Sequence, residues 1–282
     1  MNQSNSSSSR RVKFARGDGF RRALRDRVDA FFEERGLSRK DQPAIYFKAF
    51  VLLSAVVASY VTLVFVAVPV WAKVVAAVVF GLAGAGVGFN VMHDAGHRAM
   101  SEHGWVNKLF FYSLDFLGGS SYFWGVKHNQ LHHTYANIDG HDDDIDLGLL
   151  ARLSPEQRRL PVHRLQHFYV WPLYGLIVPK WQFWDDIVYW ISGRMGERSI
   201  PRPEGSDAAA LVIGKLWFFA MFFVVPAFFH PIGWIIAFYL LAMWVQGFTM
   251  SVVFQTAHCL EEADFPVADE DNRMPSEWAA HQ

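Results

Sequence analysis

Four long apolar runs dominate the pattern of hydrophobic and polar positions along the chain. They cover residues 49–71, 74–92, 211–229 and 232–254. A helix rises about 1.5 Å per residue, so each run is long enough to cross about 30 Å of hydrocarbon. The third run contains Lys215 near one end, where a long side chain can reach the membrane interface. Short turns, around Pro69 and Lys73 and at His230-Pro231, join the runs in pairs. The pattern predicts an all-α membrane protein with four transmembrane helices in two hairpins.

The region between the two hairpins is aromatic but broken by charges, glycines and prolines. Residues 109–126 are apolar apart from Asp115, and the run Gly-Gly-Ser-Ser at 118–121 argues against a spanning helix. Residues 168–190 carry nine aromatic residues together with two prolines and three charged residues. We expect both segments to form helices in the headgroup layer, where Trp and Tyr concentrate. The alternative is that they pack as the core of a cytoplasmic cap.

Residues 1–42 are polar and basic. The serine-rich residues 1–9 are expected to be disordered because they cannot bury apolar surface. No apolar segment follows them, so no cleavable signal peptide is predicted. Between residues 14 and 39, apolar residues recur every three to four positions opposite arginines, which predicts an amphipathic helix. This helix would either lie on the cytoplasmic surface of the bilayer or present a solvated charged face.

Composition and charge agree with a membrane protein. Apolar residues make up 52% of the chain and charged residues 19%, against about 25% charged residues in soluble domains. Residues 1–48 hold twelve Lys or Arg against six acids, so this end is expected to face anionic lipid rather than nucleic acid. Eleven basic residues lie between the hairpins, whereas Lys73 alone lies on a translocated turn. The positive-inside rule therefore predicts cytoplasmic termini and cytoplasmic histidines, in a bacterial inner membrane or the endoplasmic reticulum.

Histidines are concentrated in two short motifs at membrane edges. His93 and His97 follow the second run in HDAGH, and three more histidines lie in KHNQLHHTY. On an α-helix, His128 and His132 would share one face, while His133 would point roughly 100° away. Two rings could then serve one metal ion and the third ring a second metal ion.

A sixth histidine, His258, follows the fourth run at the same membrane face. Six imidazoles exceed what one tetrahedral zinc ion can use, so two metal ions are the economical interpretation. Imidazole binds Zn, Cu, Fe and Ni, and the ligands alone do not name the metal. The single cysteine, Cys259, excludes an internal disulfide and a cysteine-based cluster. Nearby carboxylates could accept the second N–H of a ligating ring. These are Asp94, Asp142, Asp143, Asp144 and Asp146.

A metal pair at the mouth of a helical bundle suggests oxidation of a lipid chain, because an apolar substrate can enter from the bilayer while oxygen and electrons reach the metal. A membrane zinc hydrolase is the alternative from another class. In that hypothesis His93 and His97 bind zinc and Asp94 is the general base, since HDAGH is one methylene short of HExxH.

Three stretches of the sequence resemble the membrane fatty acid desaturases, in particular the acyl-CoA and acyl-lipid branch that contains linoleoyl-CoA desaturase-like enzymes. They are HDAGH at 93–97, GGSSYFWGVKHNQLHHTYANIDGHDDDIDLG at 118–148 and QTAHCLEEADFP at 255–266. The likeness extends over roughly residues 45–282. It implies a desaturase domain over residues 43–282, built as a four-helix membrane bundle with a cytoplasmic cap and a non-haem di-iron centre.

The resemblance also implies the site residues and the reaction. The iron ligands would be His93, His97, His128, His132, His133 and His258, supported by Asp94 and Asp144. The enzyme would use molecular oxygen and two electrons from a ferredoxin or b-type cytochrome to remove hydrogens from adjacent methylenes in an apolar tunnel. Its substrate would be a fatty acyl chain linked to CoA, a carrier protein or a membrane lipid. The product would contain a new double bond.

The sequence departs from the family pattern in one respect. A third histidine box of the QxxHH type follows the last span in the family, and none occurs before Gln282. The resemblance therefore predicts a chain that is incomplete at its C-terminus. In the alternatives, His281 replaces missing ligands, or the chain is an inactive fragment that only binds lipid. The N-terminal region also lacks the haem-binding histidines of this branch's fused b-type cytochrome domain. Within the same scaffold, the alternative reaction is hydroxylation or ketolation of lipids or carotenoids.

Overall fold

Helices dominate the fold in the computed structural model, which describes residues 12–142, 144–196 and 198–282. The predicted disorder of residues 1–9 and the carboxylate of Asp143 lie outside this description. The helices are α1 Gly19–Glu34, α2 Pro43–Val64, α3 Val70–Gly96, α4 Gly104–Phe111, α5 Ser113–Phe116, α6 (residues 121–135), α7 Gln166–Tyr174, α8 (residues 177–192), α9 Gly205–Ala227, α10 Ile232–His258 and α11 Trp278–His281. A 3₁₀ turn, Pro161–Leu165, precedes α7. The strands are β1 Lys13–Ala15, β2 Arg194–Met195, β3 Arg198–Ser199 and β4 Arg273–Glu277.

The two predicted hairpins are α2 with α3 and α9 with α10. Within the described part of the chain, these four helices are long and apolar enough to cross a membrane, which confirms the predicted architecture. Their ends differ from the predicted ones. α2 begins at Pro43, where proline fits the first helical turn, and ends at Val64, so residues 65–69 form the connection to α3. α3 and α10 continue beyond their apolar runs and carry histidines on their last turns.

α3 and α10 pack against each other along a seam of small residues. A Cβ atom at Gly81 would lie 2.4 Å from the carbonyl oxygen of Ala242, and one at Gly84 would lie 2.7 Å from the side chain of Gln246. Both distances are shorter than van der Waals contact, so glycine is what allows the two helix backbones to approach this closely. Because each helix is the second half of a hairpin, both end on the same side of the bundle. Their C-terminal histidines therefore lie on that side.

The segments between the hairpins form a cap over the histidine end of the bundle. The predicted helices over 109–126 and 168–190 are present, but each is broken into short pieces. Gly118 adopts a φ of +92°, a conformation that favours glycine, and this turn separates α5 from α6. Leu117 and Trp181 pack against the buried bundle residue Phe218 and its neighbours. The cap therefore contributes to the core of the bundle.

The Lys215 side chain does not extend outward from the bundle as the sequence suggested, because the cap binds its ammonium. It lies in the middle of α9, where its ammonium donates hydrogen bonds of 2.7 and 2.9 Å to the carbonyl oxygens of Gly118 and Gln182. A further bond of 2.7 Å reaches the carboxylate of Asp186. The cap supplies enough acceptors to hold this charge inside a span, and the bonds tie α9 to both segments of the cap.

The two ends of the described chain meet. β1 pairs in parallel with β4, with Lys13 opposite Arg273 and Ala15 opposite Glu277. Beside them, Val12 and Met274 are buried together with Tyr135 and Ile138 at the end of α6. α1 lies within the predicted amphipathic segment, but none of its residues is buried. The exposed apolar side chains of α1 include Phe20, Leu24, Val28 and Phe31.

Candidate metal centre

The six predicted histidine ligands meet at one end of the bundle. They come from three places: the end of α3, the second half of α6 and the end of α10. These residues are His93, His97, His128, His132, His133 and His258. His128 and His132 are buried, at 7% and 0% exposure, and the other four are less buried. Three segments that are distant in sequence thus contribute to one cluster.

Four of the rings form a first group. A nitrogen atom of each of His93, His97, His128 and His133 lies within 4.8 Å of those of the others. The Nε2 atoms of His128 and His133 are 3.0 Å apart. The ring of His97 lies 4.5 Å from that of His93 and 4.7 Å from that of His133, measured between centroids. The nitrogen atoms are therefore close enough together to share one metal ion.

The backbone of α6 explains this grouping. Residues Gly125–His132 are π-helical, so successive turns are related by five residues rather than four. His133 follows His128 by five positions, and their rings meet edge to face with centroids 4.5 Å apart. The prediction that His133 points away from His128 is therefore wrong. His128 and His132 do lie on one face, with stacked rings 5.2 Å apart.

A second group surrounds His132. Its Nε2 lies 3.3 Å from Nε2 of His258. Its Nδ1 lies 2.9 Å and 3.0 Å from the two carboxylate oxygens of Asp142. Asp144 lies between the groups, with one oxygen 3.3 Å from Nδ1 of His128 and 3.9 Å from Nδ1 of His132. His128, His132 and Asp144 also offer three ligand atoms within 4.8 Å of one another.

The carboxylates determine which nitrogen of each ring is free. Nδ1 of His128 and Nδ1 of His132 both face a carboxylate, so each Nδ1 carries the proton. The lone pair of each Nε2 then points toward a neighbouring imidazole. Burial opposes the charge of Asp144, but Lys127 at 2.9 Å and the two rings outweigh it and hold the pKa of Asp144 below its usual range. Asp144 is therefore ionised at neutral pH.

Most of the cluster is electrically neutral at pH 7. Burial, together with the neighbouring rings, lowers the pKa of His97, His128 and His133 to about 4. Neutral imidazole is the form that binds a metal ion. His132 differs, because Asp142 and Asp144 outweigh its burial and raise its pKa. The carboxylates thus stabilise positive charge on the most buried ring.

Asp94 lies beside the cluster, between His93 and a lysine. One carboxylate oxygen is 3.7 Å from Nδ1 of His93, and the other is 3.5 Å from the Lys48 ammonium. This position suits a carboxylate that orients His93. It does not suit the general base of the zinc hydrolase hypothesis, because both oxygens already face cationic or N–H partners.

Several residues of the site were not among the predicted ones. Asp142 was recognised only as one of several nearby acids, yet it makes the shortest carboxylate contacts in the cluster. Trp124 stacks on His128 with ring centroids 4.3 Å apart, and its position four residues earlier was the available sequence signal. The side-chain amide of Asn129 donates to the carbonyl oxygen of Gly96, and that of Asn137 donates to the carbonyl oxygen of His258. These bonds hold the three segments of the site together.

Other histidines lie apart from the cluster. Nε2 of His281 donates a 2.9 Å hydrogen bond to the carbonyl oxygen of Ala136, and its ring packs against Phe14. His281 belongs to neither candidate metal group in the described part of the chain. His230 lies at the opposite end of the bundle, where it contacts the carbonyl oxygen of Val64. The structure therefore gives no support to the alternative in which His281 replaces a missing ligand.

The residues present fit a pair of nitrogen- and oxygen-ligated metal ions. The cluster offers imidazole nitrogens in both groups and a carboxylate in one, a donor set that suits iron as well as zinc, copper or nickel. The neutral rings of His97, His128 and His133 and the ionised carboxylate of Asp144 are already in the protonation states that metal binding requires.

Comparison with known proteins agrees with this geometry. The fatty acid desaturase family model matches residues 69–281. The sn-1 linoleoyl-lipid 6-desaturase of Arthrospira platensis is 35% identical over 279 residues, which cover 98% of this chain and 75% of that protein. The enzyme of the same description from Synechocystis sp. is 34% identical, with coverage of 96% and 76%. The acyl-lipid (8-3)-desaturase of Mortierella alpina is 30% identical, with coverage of 93% and 60%. The chain spans about three quarters of the first two relatives.

The family match covers both histidine motifs, the end of α10 and three of the four spans. The relatives cover nearly all of the chain at an identity of about one third. This chain belongs to the fatty acid desaturase family, whose members are oxidoreductases.

Proposed function

We propose that this desaturase acts on a fatty acyl chain carried by a membrane lipid, and that it does so at a di-iron centre. The relatives' names specify lipid-linked acyl chains rather than CoA thioesters, which supports a lipid substrate. The observation that carries the proposal is the convergence of six imidazoles at the end of a bundle of apolar helices. An acyl chain in the bilayer has direct access to such a site.

In this proposal the histidines hold the iron ions and the carboxylates hold the histidines. The ligands are His93, His97, His128, His132, His133 and His258. Asp144 and Asp142 keep Nδ1 of their partner rings protonated, and this leaves Nε2 free to bind metal. Asp94 orients His93 in the same way. When bound, two iron ions would supply the oxygen-dependent removal of one hydrogen from each of two neighbouring methylenes.

A narrow space of about 10 Å³ next to the cluster marks the proposed place for the reacting part of the acyl chain, which would enter as the flexible side chains around it move apart. It lies between α3 and α10 and is lined by Gly88, Met92, Leu114 and Met250, among others. A Cβ atom at Gly88 would approach Met250 to 3.2 Å, so glycine sets the width of the cavity at this point. Its walls are mainly apolar and keep bulk water away from the reacting methylenes.

The electron donor in this proposal is a ferredoxin or b-type cytochrome that docks on the cap. The positive-inside rule places the cap, the histidines and both termini in the cytoplasm, because the basic residues are concentrated there. Electrons would then arrive from the cytoplasmic side, while the acyl chain enters from the bilayer. The electron donor and the acyl chain therefore do not compete for one entrance.

Lipid analysis of a host that expresses the chain tests the proposal. Wild type should produce acyl chains with an additional double bond, in lipid extracts resolved by headgroup and position. His132→Ala should abolish this product and lower the iron content per purified chain. His230→Ala is the matched control, since that histidine lies at the opposite end of the bundle, and it should leave the iron content unchanged.

The same measurements separate the alternatives. Acyl chains or carotenoids with inserted oxygen would assign hydroxylation or ketolation to this scaffold and would overturn the proposal. One zinc ion per chain together with oxygen-independent turnover would favour the hydrolase hypothesis. A chain that binds iron but forms no product with any electron donor would favour the inactive fragment.

A further inference from the structure

A second cavity lies at the end of the bundle opposite the histidine cluster. It has a volume of about 240 Å³ and is lined by residues of both hairpins. Its walls are mainly apolar and include the aromatic side chains of Phe80, Phe222 and Phe238, and Ala242 lies at its inner end. The volume is slightly below the range of about 300–1,000 Å³ that accommodates drug-sized ligands, so it suits a slender apolar group.

Two basic residues, one from each hairpin, lie at the mouth of this cavity. The Lys73 ammonium donates a 2.9 Å hydrogen bond to the carbonyl oxygen of Leu63 and lies 3.5 Å from Nε2 of His230. His230 in turn donates to the carbonyl oxygen of Val64 at 2.8 Å. Both residues therefore cap the C-terminal end of α2, a position that favours positive charge.

This capping leaves the Lys73 charge without an anionic partner. An ammonium has three donors, and the structure assigns one of them to a carbonyl oxygen. Among the described residues, no carboxylate lies within ion-pair distance of Lys73. Lys73 is also the one Lys or Arg on the two turns at this end of the bundle, where the positive-inside rule disfavours such residues. A lone cation at the rim of an apolar cavity complements an amphiphile with an anionic head.

The cavity is separated from the metal centre. The hydroxyl of Tyr239, which lines the cavity, donates to the side-chain carbonyl of Gln182, and Gln182 lines the narrow cavity near the histidines. Phe218 and Met243 are buried beside this pair. The two cavities therefore do not form one open channel.

We propose that this cavity binds an anionic phospholipid from the leaflet opposite the metal centre. One acyl chain occupies the aromatic cavity, and the phosphate binds Lys73, with His230 as a second donor when it is released from Val64. The site is distinct from the acyl substrate site, and it does not depend on the proposed reaction.

Tryptophan quenching by brominated lipid tests this site in the full chain. Trp234 lines the cavity, so the difference between wild type and Trp234→Phe isolates its signal from the other tryptophans. The chain is reconstituted in phosphatidylcholine vesicles, and phosphatidylglycerol with brominated acyl chains is added. Quenching of the Trp234 signal should show a preference for the anionic over the zwitterionic brominated lipid. Removing one lysine near a membrane surface weakens such binding about fivefold, so Lys73→Gln should reduce the preference by about that factor.

Two further variants distinguish specific binding from general surface charge. Lys108→Gln removes an equal charge at the histidine end of the bundle and should leave the preference unchanged. Ala242→Phe keeps both basic residues but fills the inner end of the cavity, and it should reduce quenching by both lipids. An unchanged preference in Lys73→Gln, or an equal loss in Lys108→Gln, would overturn the proposal. A shift in acyl product length in Ala242→Phe with unchanged quenching would assign the cavity to the substrate tail instead.

Discussion

Carboxylates in the metal centre act on individual ring nitrogens. Among the ring nitrogens of the cluster, Asp142 contacts Nδ1 of His132 alone, whereas Asp144 is shared between His128 and His132. A ring held in this way keeps one tautomer and one orientation, which raises its affinity for a metal ion. The backbone N–H of Asn137 and that of Asp144 also donate to Asp142, so this carboxylate is itself fixed in place. The arrangement predicts that Asp142 matters for metal affinity although it need not touch the metal.

Asp142→Asn tests this role. The amide preserves the shape of the side chain but removes the charge that favours a protonated Nδ1. We expect iron affinity to fall by a factor of about 10–100, the usual effect of losing a carboxylate behind a metal ligand. Equilibrium dialysis against iron, followed by elemental analysis per chain, gives the affinity. Asp139→Asn is the matched control, since the Asp139 side chain makes no contact with the cluster, and it should retain wild-type affinity. Equal affinity of Asp142→Asn and wild type would contradict the proposed role.

Asp41 illustrates a carboxylate that stabilises the fold rather than the metal centre. It accepts hydrogen bonds from the backbone N–H of Glu102 and from the hydroxyls of Ser101 and Tyr46, and these bonds lower its pKa to about 2. Because its folded-state pKa lies below the ordinary value of 3.8, Asp41 stabilises the protein above about pH 4. This contribution is lost as the pH falls toward about 2.

Asp41→Asn should therefore lower the melting temperature at pH 7. Asn tolerates the positive φ of 58° at this position, so the variant changes the charge without straining the backbone. The difference in melting temperature between wild type and variant should shrink as the pH is lowered from about 4 toward about 2. Light-scattering or fluorescence melts in detergent at several pH values provide the measurement. A difference that grows on acidification would refute this assignment.

At the scale of secondary structure, two features place the ligands: the seam between α3 and α10 and the π-helical turn of α6. The seam sets how closely α3 and α10 approach, and these helices carry His93 and His258 at their ends. The π-helix turns His133 toward His128. A defect in the seam should therefore affect both the fold and the site.

Gly81→Val tests the seam. A Cβ atom at this position would lie 2.4 Å from the backbone carbonyl oxygen of Ala242, which cannot rotate away as a flexible side chain could. Overpacking of this kind costs about 1–3 kcal/mol, so we expect a lower melting temperature and reduced iron content. Gly233→Ala, at a glycine of α10 with no atom near its Cβ position, is the control and should leave stability unchanged or slightly raised. A wild-type melting temperature for Gly81→Val would contradict the seam.

The sequence was sufficient to predict the spans and the histidines that converge, since both depend on local signals. Hydrophobic runs predicted the hairpins, and histidine spacing combined with family resemblance predicted the rings that converge. The relation between His128 and His133 was not predictable, because a π-helix has no distinct hydrophobic period and α-helical geometry was the natural assumption. The pairing of β1 with β4 was also missed, because its partners lie at opposite ends of the chain. For Lys215, hydropathy alone did not indicate that the cap would supply acceptors.

At the scale of the whole molecule, the cap and the bundle are joined by a buried polar connection. Lys215 of α9 reaches Asp186 of α8 and the turn at Gly118. Burial raises the pKa of Asp186 and of Asp115, which lies nearby, to about 6. Removing the lysine would leave the buried carboxylate of Asp186 without its cation. The connection should therefore matter for how the cap is held over the metal centre.

Lys215→Met tests this connection. Removing one partner of a buried ion pair costs about 3–5 kcal/mol, and protonation of Asp186 would recover part of that cost. We therefore expect the melting temperature of the variant to lie well below that of wild type at pH 8. At pH 5 this difference in melting temperature should be smaller, because pH 5 lies below the pKa of about 6 of Asp186 and its carboxyl group is then protonated. Melting curves of wild type and variant in detergent at both pH values give the two differences in melting temperature. Lys40→Met, which breaks an exposed pair with Glu102, should change stability by no more than about 1 kcal/mol.

The double variant Lys215→Met with Asp186→Leu separates loss of the pair from loss of packing. If the penalty of the single variant comes from an unpaired buried carboxylate, replacing Asp186 with an apolar residue should recover stability, because an apolar pair of similar volume is often as stable as a buried ion pair. Iron content should recover with it, since the cap would again be held over the bundle. A double variant as unstable as the sum of the two single variants would instead assign the effect to the carbonyl bonds of Lys215. In that case the cap depends on the turn at Gly118 rather than on the charge of Asp186.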